Sequence, residues 1–322
     1  MSHPVSGLER NKAVVRRYKE CQGAKDESAA VRELLAPGYV RLRGGLANLA
    51  NNARDQGFPG PGRFLREAFP DRVDVIEDII AEDDRVGVLW RLTGTHTGNL
   101  YGIPPTGRRV DIHEIGLLRL ADGRITEGWF MADELGLLKQ LSTQLPPRKD
   151  GQLLVPPVTD AGEDGDVVVK RLMAAQPTTQ QDRNKLKVAR SKSSFVQKED
   201  RAHFVQRRWG LQHLRDYGEA NGVVQFDPSH AFPGRNDRIT GLLAEGNKVW
   251  MQFNLRGTNT QSFYGLPPTG RRCEMAEVSI STFVGDTWVE GWVLADGVAI
   301  LLQLGALQLL AKLGCRPLSE KA

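Results

Sequence analysis

The sequence predicts an α+β protein built as two tandem cone-shaped domains, each a curved antiparallel sheet packed on three helices. Two observations predict it. The stretch YGIPPTGRR, Tyr101 to Arg109, recurs as YGLPPTGRR, Tyr264 to Arg272, with Ile103 against Leu266 the one difference. The same offset of 163 positions holds without a gap from Phe69-Pro70 against Phe232-Pro233 to Gln140-Leu141 against Gln303-Leu304. A register kept over roughly seventy residues marks a duplicated domain, because solenoid repeats run only about 20–50 residues. The second observation lies inside each copy: helical spacing first, then alternating extended segments, then a short apolar helix.

The first copy can be read in order. Val14, Val15, Tyr18 and Cys21 fall at helical spacing over residues 8–22. A second short helix fits Glu27 to Leu35 and ends before Pro37. Tyr39 to Arg43 reads as extended, and the Gly-, Asn- and Pro-rich Gly44 to Gly62 as a loop. Pro61 to Phe69 reads as a third helix with proline near its start. Four extended segments follow, Val73 to Glu82, Val86 to Thr97, Val110 to Leu120 and Ile125 to Asp133. Asp83-Asp84 and Ala121-Asp122-Gly123 supply the turns between them. Alternation in the last segment puts Ile125, Glu127, Trp129, Met131 and Asp133 on one face. LGLLKQL closes the copy as a helix. The apolar face of such a sheet must be covered by the helices, which leaves a pocket inside the cone.

Domain 1 is expected over residues 1–145 and domain 2 over 166–322, joined by a linker over 146–165 that is rich in proline, glycine and acid. In domain 2, DVVVKRLMAAQ and AHFVQRRWGLQHLRDYGEA read as helical but do not align with residues 8–62. The second helical layer is therefore expected to be remodelled or degraded, with its sheet retained.

The apolar fraction of 40% and charged fraction of 25% are those of an ordinary soluble chain. No run of eighteen apolar residues exists, which argues against a membrane span. The N-terminus lacks the apolar core of a secretory signal. Cys21, Cys273 and Cys315 are odd in number and unmatched between the copies, which favours a reducing cytoplasm over a disulfide framework. Between Asp166 and Asp216 twelve Lys/Arg face five Asp/Glu, so the rest of this +4 chain carries −3. A surplus confined to one region reads as a solvated helical face rather than a nucleic-acid surface.

GIPPTGRRV and the run LLRLADGRITEGWFMADELGLLKQL, Leu117 to Leu141, carry a family likeness, extended by NKAVVRRY and ELLAPGYV near the start. The chain resembles the SnoaL-like polyketide cyclase (ester cyclase) family, within the nuclear transport factor 2-like fold. The likeness covers nearly all of residues 8–142, and in the second copy about Phe232 to Leu304. It implies ring closure by intramolecular aldol chemistry on an apolar, oxygenated small molecule such as a polyketide, with no metal and no cofactor. It implies a last-strand carboxylate as general acid/base, which falls on Asp133 and Asp296. It implies that the two copies pack as an internal pseudo-dimer. One departure stands out. Many members carry a His just after the segment matching Tyr39-Val40, where this chain has Arg41-Leu42-Arg43; Asp227 to His230 lies in a roughly comparable place of the second copy. The fold also hosts isomerases, hydratases and plain binding proteins. A non-catalytic binding or scaffold protein therefore stays open, as does a hydrolase, lyase or isomerase on the same pocket.

Removing a proton beside a carbonyl needs a base whose pKa is lifted by burial near apolar rings. Asp133 follows Trp129 and Met131 along its strand, and Asp296 follows Trp292. The same two acids directly precede ELGLLKQL and GVAILLQL, where each would cap a helix. Both readings stand, and the resemblance favours the first for Asp133. The further candidate pocket residues are Trp129, Trp292, Tyr101, Tyr264, His113, Arg91, Trp90 and His230. Each has a plainer alternative: Trp90 as core, His113 as a structural strand histidine, Arg91 as a rim bridge, the tyrosines as an apolar clasp. Glu114 and Glu277 are matched between the copies and lie on the face opposite His113. GIPPTGRR lacks the Gly-Lys-Ser/Thr ending of a phosphate loop, and no dinucleotide or metal motif is present.

Overall fold

The computed structural model describes residues 7–22, 26–58, 61–208, 210–224, 226–312 and 314, without the side chains of 61–64. The chain separates into two compact units, one reaching Leu154 and the next running from Val155 to Leu313.

The first unit runs α1 (Gly7–Glu20), α2 (Glu27–Leu34), β1 (Leu35–Arg43), α3 (Ala47–Ala53), α4 (Pro61–Ala68), β2 (Val73–Glu82), β3 (Arg85–Thr95), β4 (Arg109–Ala121), β5 (Arg124–Ala132) and α5 (Glu134–Leu141). Its sheet order is β1-β5-β4-β3-β2. Strands β2 to β5 form the expected antiparallel meander. β1 instead lies parallel to β5, so the sheet is mixed rather than antiparallel throughout. Parallel partners need a long connection, and here α3, α4 and the meander supply it. Val15 and Tyr18 of α1 and Ala30 and Leu34 of α2 cover one sheet face, against Val88, Trp90, Leu118 and Phe130. Each large side chain so buried contributes about 1.5–3 kcal/mol.

Two local features depart from the sequence pattern. Helix α3 lies within the stretch expected to be a loop, and its N-cap Leu46 offers no side-chain cap. Glu134, at the start of α5, replaces the cap from a distance. It accepts from the backbone N–H of Asn48 at 3.2 Å and of Leu49 at 3.0 Å, and from the Asn48 side chain. A carboxylate at a helix N-terminus satisfies orphan donors and opposes the helix dipole. The second feature is a bulge. Arg119 faces Glu127 while Leu120 faces Ile125, which leaves Thr126 as an extra residue. One extra residue inverts the side-chain parity. Ile125 therefore shares the helix-covered face with Phe130, and Trp129 turns to the other face.

The second unit runs β6 (Glu163–Asp164), α6 (Gly165–Ala174), α7 (Gln180–Arg190), β7 (Val205–Arg208), α8 (Gln212–Ala220), α9 (Pro228–Ala231), β8 (Arg238–Glu245), β9 (Lys248–Thr258), β10 (Arg272–Val284), β11 (Thr287–Ala295), α10 (Gly297–Leu304) and α11 (Leu309–Lys312). Its sheet order is β6-β8-β9-β10-β11-β7, with β7 parallel to β11. The helical layer is not degraded. α7 packs on β8 and β9 as α1 packs on β2 and β3. Its segment DRNKLKVARSK, Asp182 to Lys192, matches ERNKAVVRRYK, Glu9 to Lys19, without a gap at an offset of 173. The likeness is hidden because it does not share the offset of the sheet.

Strand β7 occupies part of the stretch expected as helix. Gln206 and Arg208 pair with Gly291 and Trp292 as Arg41 and Arg43 pair with Gly128 and Trp129. The open edge of β11 supplies hydrogen-bond partners that local helical spacing cannot anticipate. Within the stretch expected as a linker, Thr159 donates its N–H and hydroxyl to Glu274 at 2.8 and 2.7 Å, and β6 pairs with β8. Part of the basic surplus is engaged in ion pairs, among them Arg183 with Asp286, Arg190 with Asp200 and Arg207 with Glu290. Among the described residues no helix is long and apolar enough to cross a membrane.

Candidate active site

The duplicated loop has a structural task. His96 is fully buried, and burial lowers its pKa, so its ring stays neutral. Its Nδ1 lies 3.1 Å from Thr106 Oγ1 and accepts from the Thr106 N–H at 3.3 Å. Asn259 holds the second loop in the same way, its Oδ1 accepting from the Thr269 N–H at 2.8 Å and hydroxyl at 3.1 Å. Tyr101 and Tyr264 take the left-handed backbone at φ 51° and 50°, each followed by a glycine that completes the turn.

Each unit has a hollow between its helices and its sheet, of about 50 Å³ in the first and about 170 Å³ in the second. Both are lined by a carboxylate at the same sheet position, Glu114 on β4 and Glu277 on β10. Around each stands the same set of charges. In the first unit Lys19 Nζ lies 3.8 Å over the Trp90 ring and 3.0 Å from Asp74, which Arg72 grips through two bonds of 2.9 and 2.7 Å. In the second, Lys192 Nζ lies 3.8 Å over the Phe253 ring and 3.4 Å from Asp237, with Arg235 at 3.2 Å from the same carboxylate.

Burial sets the proton affinities. It pushes Glu114 up against the opposing pull of Lys19 and Arg72. It pushes Glu277 to about 7, with Lys192 pulling down and Asp237 pushing up. Lys19 is lowered to about 8 by burial and by Arg72, and Lys192 is lowered by burial. Burial alone would raise Asp74, but Lys19 and Arg72 outweigh it and hold the carboxyl below its usual range. Glu114 is packed tightly: a Cβ on Gly45 would stand 1.8 Å from its Oε1. Glu277 keeps part of its surface open to its cavity.

The structure distributes the residues singled out by sequence as follows. Trp90 lines the first cavity and Tyr264 the second; Tyr101 is buried but lines neither. Trp129 and Trp292 lie on the opposite sheet face, under the guanidinium groups of Arg43 and Arg208 at 5.6 and 5.3 Å, because the bulge inverts the parity expected for them. His113 sits 3.0 Å from Glu77, and exposed Arg91 pairs with Asp111. His230 is exposed on α9; the true counterparts of Arg41 and Arg43 are Gln206 and Arg208. Asp133 accepts from the Gly136 N–H at 2.9 Å and Asp296 from the Ala299 N–H at 3.0 Å, each as a helix N-cap, and neither lines either of these two hollows. The Arg-x-Asp pair is legible in the sequence as Arg72, Asp74 against Arg235, Asp237 on the common offset.

The cavities differ for readable reasons. Arg41, Leu118 and Phe130 crowd the first, where the second has Gln206, Ser281 and Val293. Side-chain volume therefore closes one hollow and opens the other.

A helix-covered cone with an uncharged-leaning carboxyl in a partly apolar hollow defines a small-molecule site suited to acid/base chemistry. Residues 12–141 and 223–304 match the SnoaL-like polyketide cyclase family, and the chain belongs to that family. Over 104 residues it is 33% identical to aklanonic acid methyl ester cyclase DauD of Streptomyces sp. (strain C5), covering 32% of this chain and 64% of that protein. Over 93 residues it is 34% identical to aklanonic acid methyl ester cyclase DnrD of Streptomyces peucetius, covering 28% and 63%. The chain thus spans less than two thirds of the length of either relative. A solved structure from Jannaschia sp. CCS1 is 30% identical, covers 45% of this chain and 100% of that chain, and has a TM-score of 0.36.

Proposed function

We propose that the chain is a cofactor-independent, cyclase-type enzyme acting on an apolar, oxygenated, polyketide-like molecule, with Glu277 as its general acid/base. One observation carries this reading: Glu277 is a carboxyl lifted to about 7 that lines the roomier hollow. A base with this affinity is half-ionised at neutral pH and can both take and return a proton. Its carboxylate removes a proton from carbon beside a carbonyl. Lys192 and Arg235 line the same cavity and donate to the enolate oxygen as charge builds there. The enolate carbon then attacks a second carbonyl of the same molecule, and the Glu277 carboxyl protonates the resulting alkoxide. Met251, Phe253 and Trp288 supply the apolar wall. The names of the methyl ester cyclases support the substrate class. Buried free thiols at Cys21 and Cys273 suit the cytoplasmic placement in the same reading. The geometry favours Glu277 over Asp296, whose side chain is committed to a helix N-terminus.

The test is turnover of aklanonic acid methyl ester by Glu277→Gln, Glu114→Gln and Asp296→Asn chains. The expected loss is about 10²–10⁴-fold for Glu277→Gln alone. Unchanged turnover in that variant, or a loss confined to Asp296→Asn, overturns the assignment.

A further inference from the structure

The second cavity carries polar groups that acid/base chemistry at Glu277 does not use. Ser279 and Ser281 follow Glu277 at alternate positions of β10 and line the same hollow. They are 9% and 0% exposed, and neither hydroxyl has a hydrogen-bond partner among the described residues. A buried hydroxyl left unpaired is unfavourable, so two along one cavity wall call for a partner that arrives with the ligand. The first unit has Gly116 and Leu118 at the same positions, so the pair is peculiar to the larger hollow.

Arg201 lines this cavity as well. Its guanidinium stacks 4.2 Å from the Phe204 ring and 5.4 Å from Trp288, and no carboxylate of the described residues pairs with it. Register orders these groups. Phe283 faces Trp288 and Ser281 faces Gly291, at the end of the hollow where the Phe204 ring also closes on Gly291. Glu277 faces Ala295, toward the other end. Four residues of strand separate Glu277 from Ser281, about 13 Å at 3.3–3.4 Å per residue.

We propose that the second cavity binds a carboxylate-bearing, oxygenated ring molecule lengthwise, its carboxylate on Arg201, its ring oxygens on Ser281 and Ser279, and its far end at Glu277. This rests on the second hollow being the working site. An arginine fork matches a carboxylate in geometry as well as charge, and stacking on two rings holds it in place before the ligand arrives. A ligand whose acid is masked as an ester keeps the serine contacts and loses the ionic one.

Equilibrium binding of anthraquinone-2-carboxylate and its methyl ester to the full chain tests this. Wild type is expected to bind the acid about tenfold more tightly than the ester. Arg201→Gln brings that ratio to about one without weakening the ester, while Arg201→Lys keeps part of it. Ser279→Ala/Ser281→Ala weakens both ligands about tenfold, although the unliganded chain is at least as stable as wild type because unpaired hydroxyls are gone. Wild type that binds both probes equally, or fails to bind the acid, overturns the proposal. So does a preference that survives Arg201→Gln, or a serine double variant that binds as wild type does. Glu277→Gln keeps the acid preference, so failure of the acid/base assignment leaves this measurement standing and is told apart from failure of the binding mode.

Discussion

Glu277 on β10 stands directly across from Phe253 on β9, in the register that sets Glu114 across from Trp90 in the other unit. In both, a lysine ammonium lies 3.8 Å over the same ring. The ring attracts the cation through its negative face and denies water to the carboxyl beside it. Those lysines come from helical segments whose numbering has slipped by ten positions against the sheet, yet the cluster is intact. The duplicated feature is thus a charge arrangement, and the volume around it is what has diverged.

The first prediction concerns pH. The folded-state pKa of Glu277 is about 7, above the unfolded value of about 4.3. The folded chain therefore holds this proton more tightly. The associated stability is fully present below about pH 4 and is lost as pH rises through about 7. Turnover should rise with an apparent pKa near 7, and that limb should vanish in Glu277→Gln. In chemical denaturation the variant should gain on wild type at pH 8 and not at pH 4. An unchanged pH–rate limb in the variant rejects the assignment.

Asp133 and Asp296 act as caps, so their replacements should sort by capping ability. Asparagine caps nearly as well as aspartate, whereas alanine costs about 0.5–2 kcal/mol. Asp133→Asn and Asp296→Asn should keep both stability and turnover, while the alanine variants lower the denaturation midpoint. Loss of turnover in a stable asparagine variant would restore these acids to the chemistry.

His96 and Asn259 perform one task with different side chains. His96→Asn should cost less than His96→Ala, which strips the Thr106 N–H of its acceptor and leaves a cavity, a loss of about 2–4 kcal/mol. Thermal unfolding of the two variants gives the order directly, and equal costs would refute the equivalence.

Glu134 caps α3 across the fold, accepting from two of its backbone N–H groups. Glu134→Gln should speed amide hydrogen exchange at Asn48 and Leu49, at a cost of about 1–3 kcal/mol. Exchange at α1 should be unaffected. Exchange at Asn48 and Leu49 matching wild type would show that the cap is not needed.

Much of the fold was legible. The meander strands and both closing helices follow from alternation, turn residues and the shared offset, since these are local signals. The site was legible only in part. Trp90 and Tyr264 line the hollows, whereas Trp129 and Trp292 lie on the face opposite the one their alternation predicts, because a single-residue bulge is silent in a hydrophobic pattern. β7 is hidden within helical spacing because its partner, β11, lies some eighty residues further along the chain.

By itself, the amino-acid order determined that one α+β domain occurs twice, which strands form the repeated meander, and which family the chain belongs to. These rest on periodicity and on identity at fixed spacing, and both are properties of the chain as a string. Tertiary structure alone decided which carboxyls face a hollow. Glu114 and Glu277 acquire their raised proton affinity from rings, lysines and arginines brought in from distant segments, because desolvation depends on what surrounds a group in space. Asp133 and Asp296 sit beside helices that take up their lone pairs first.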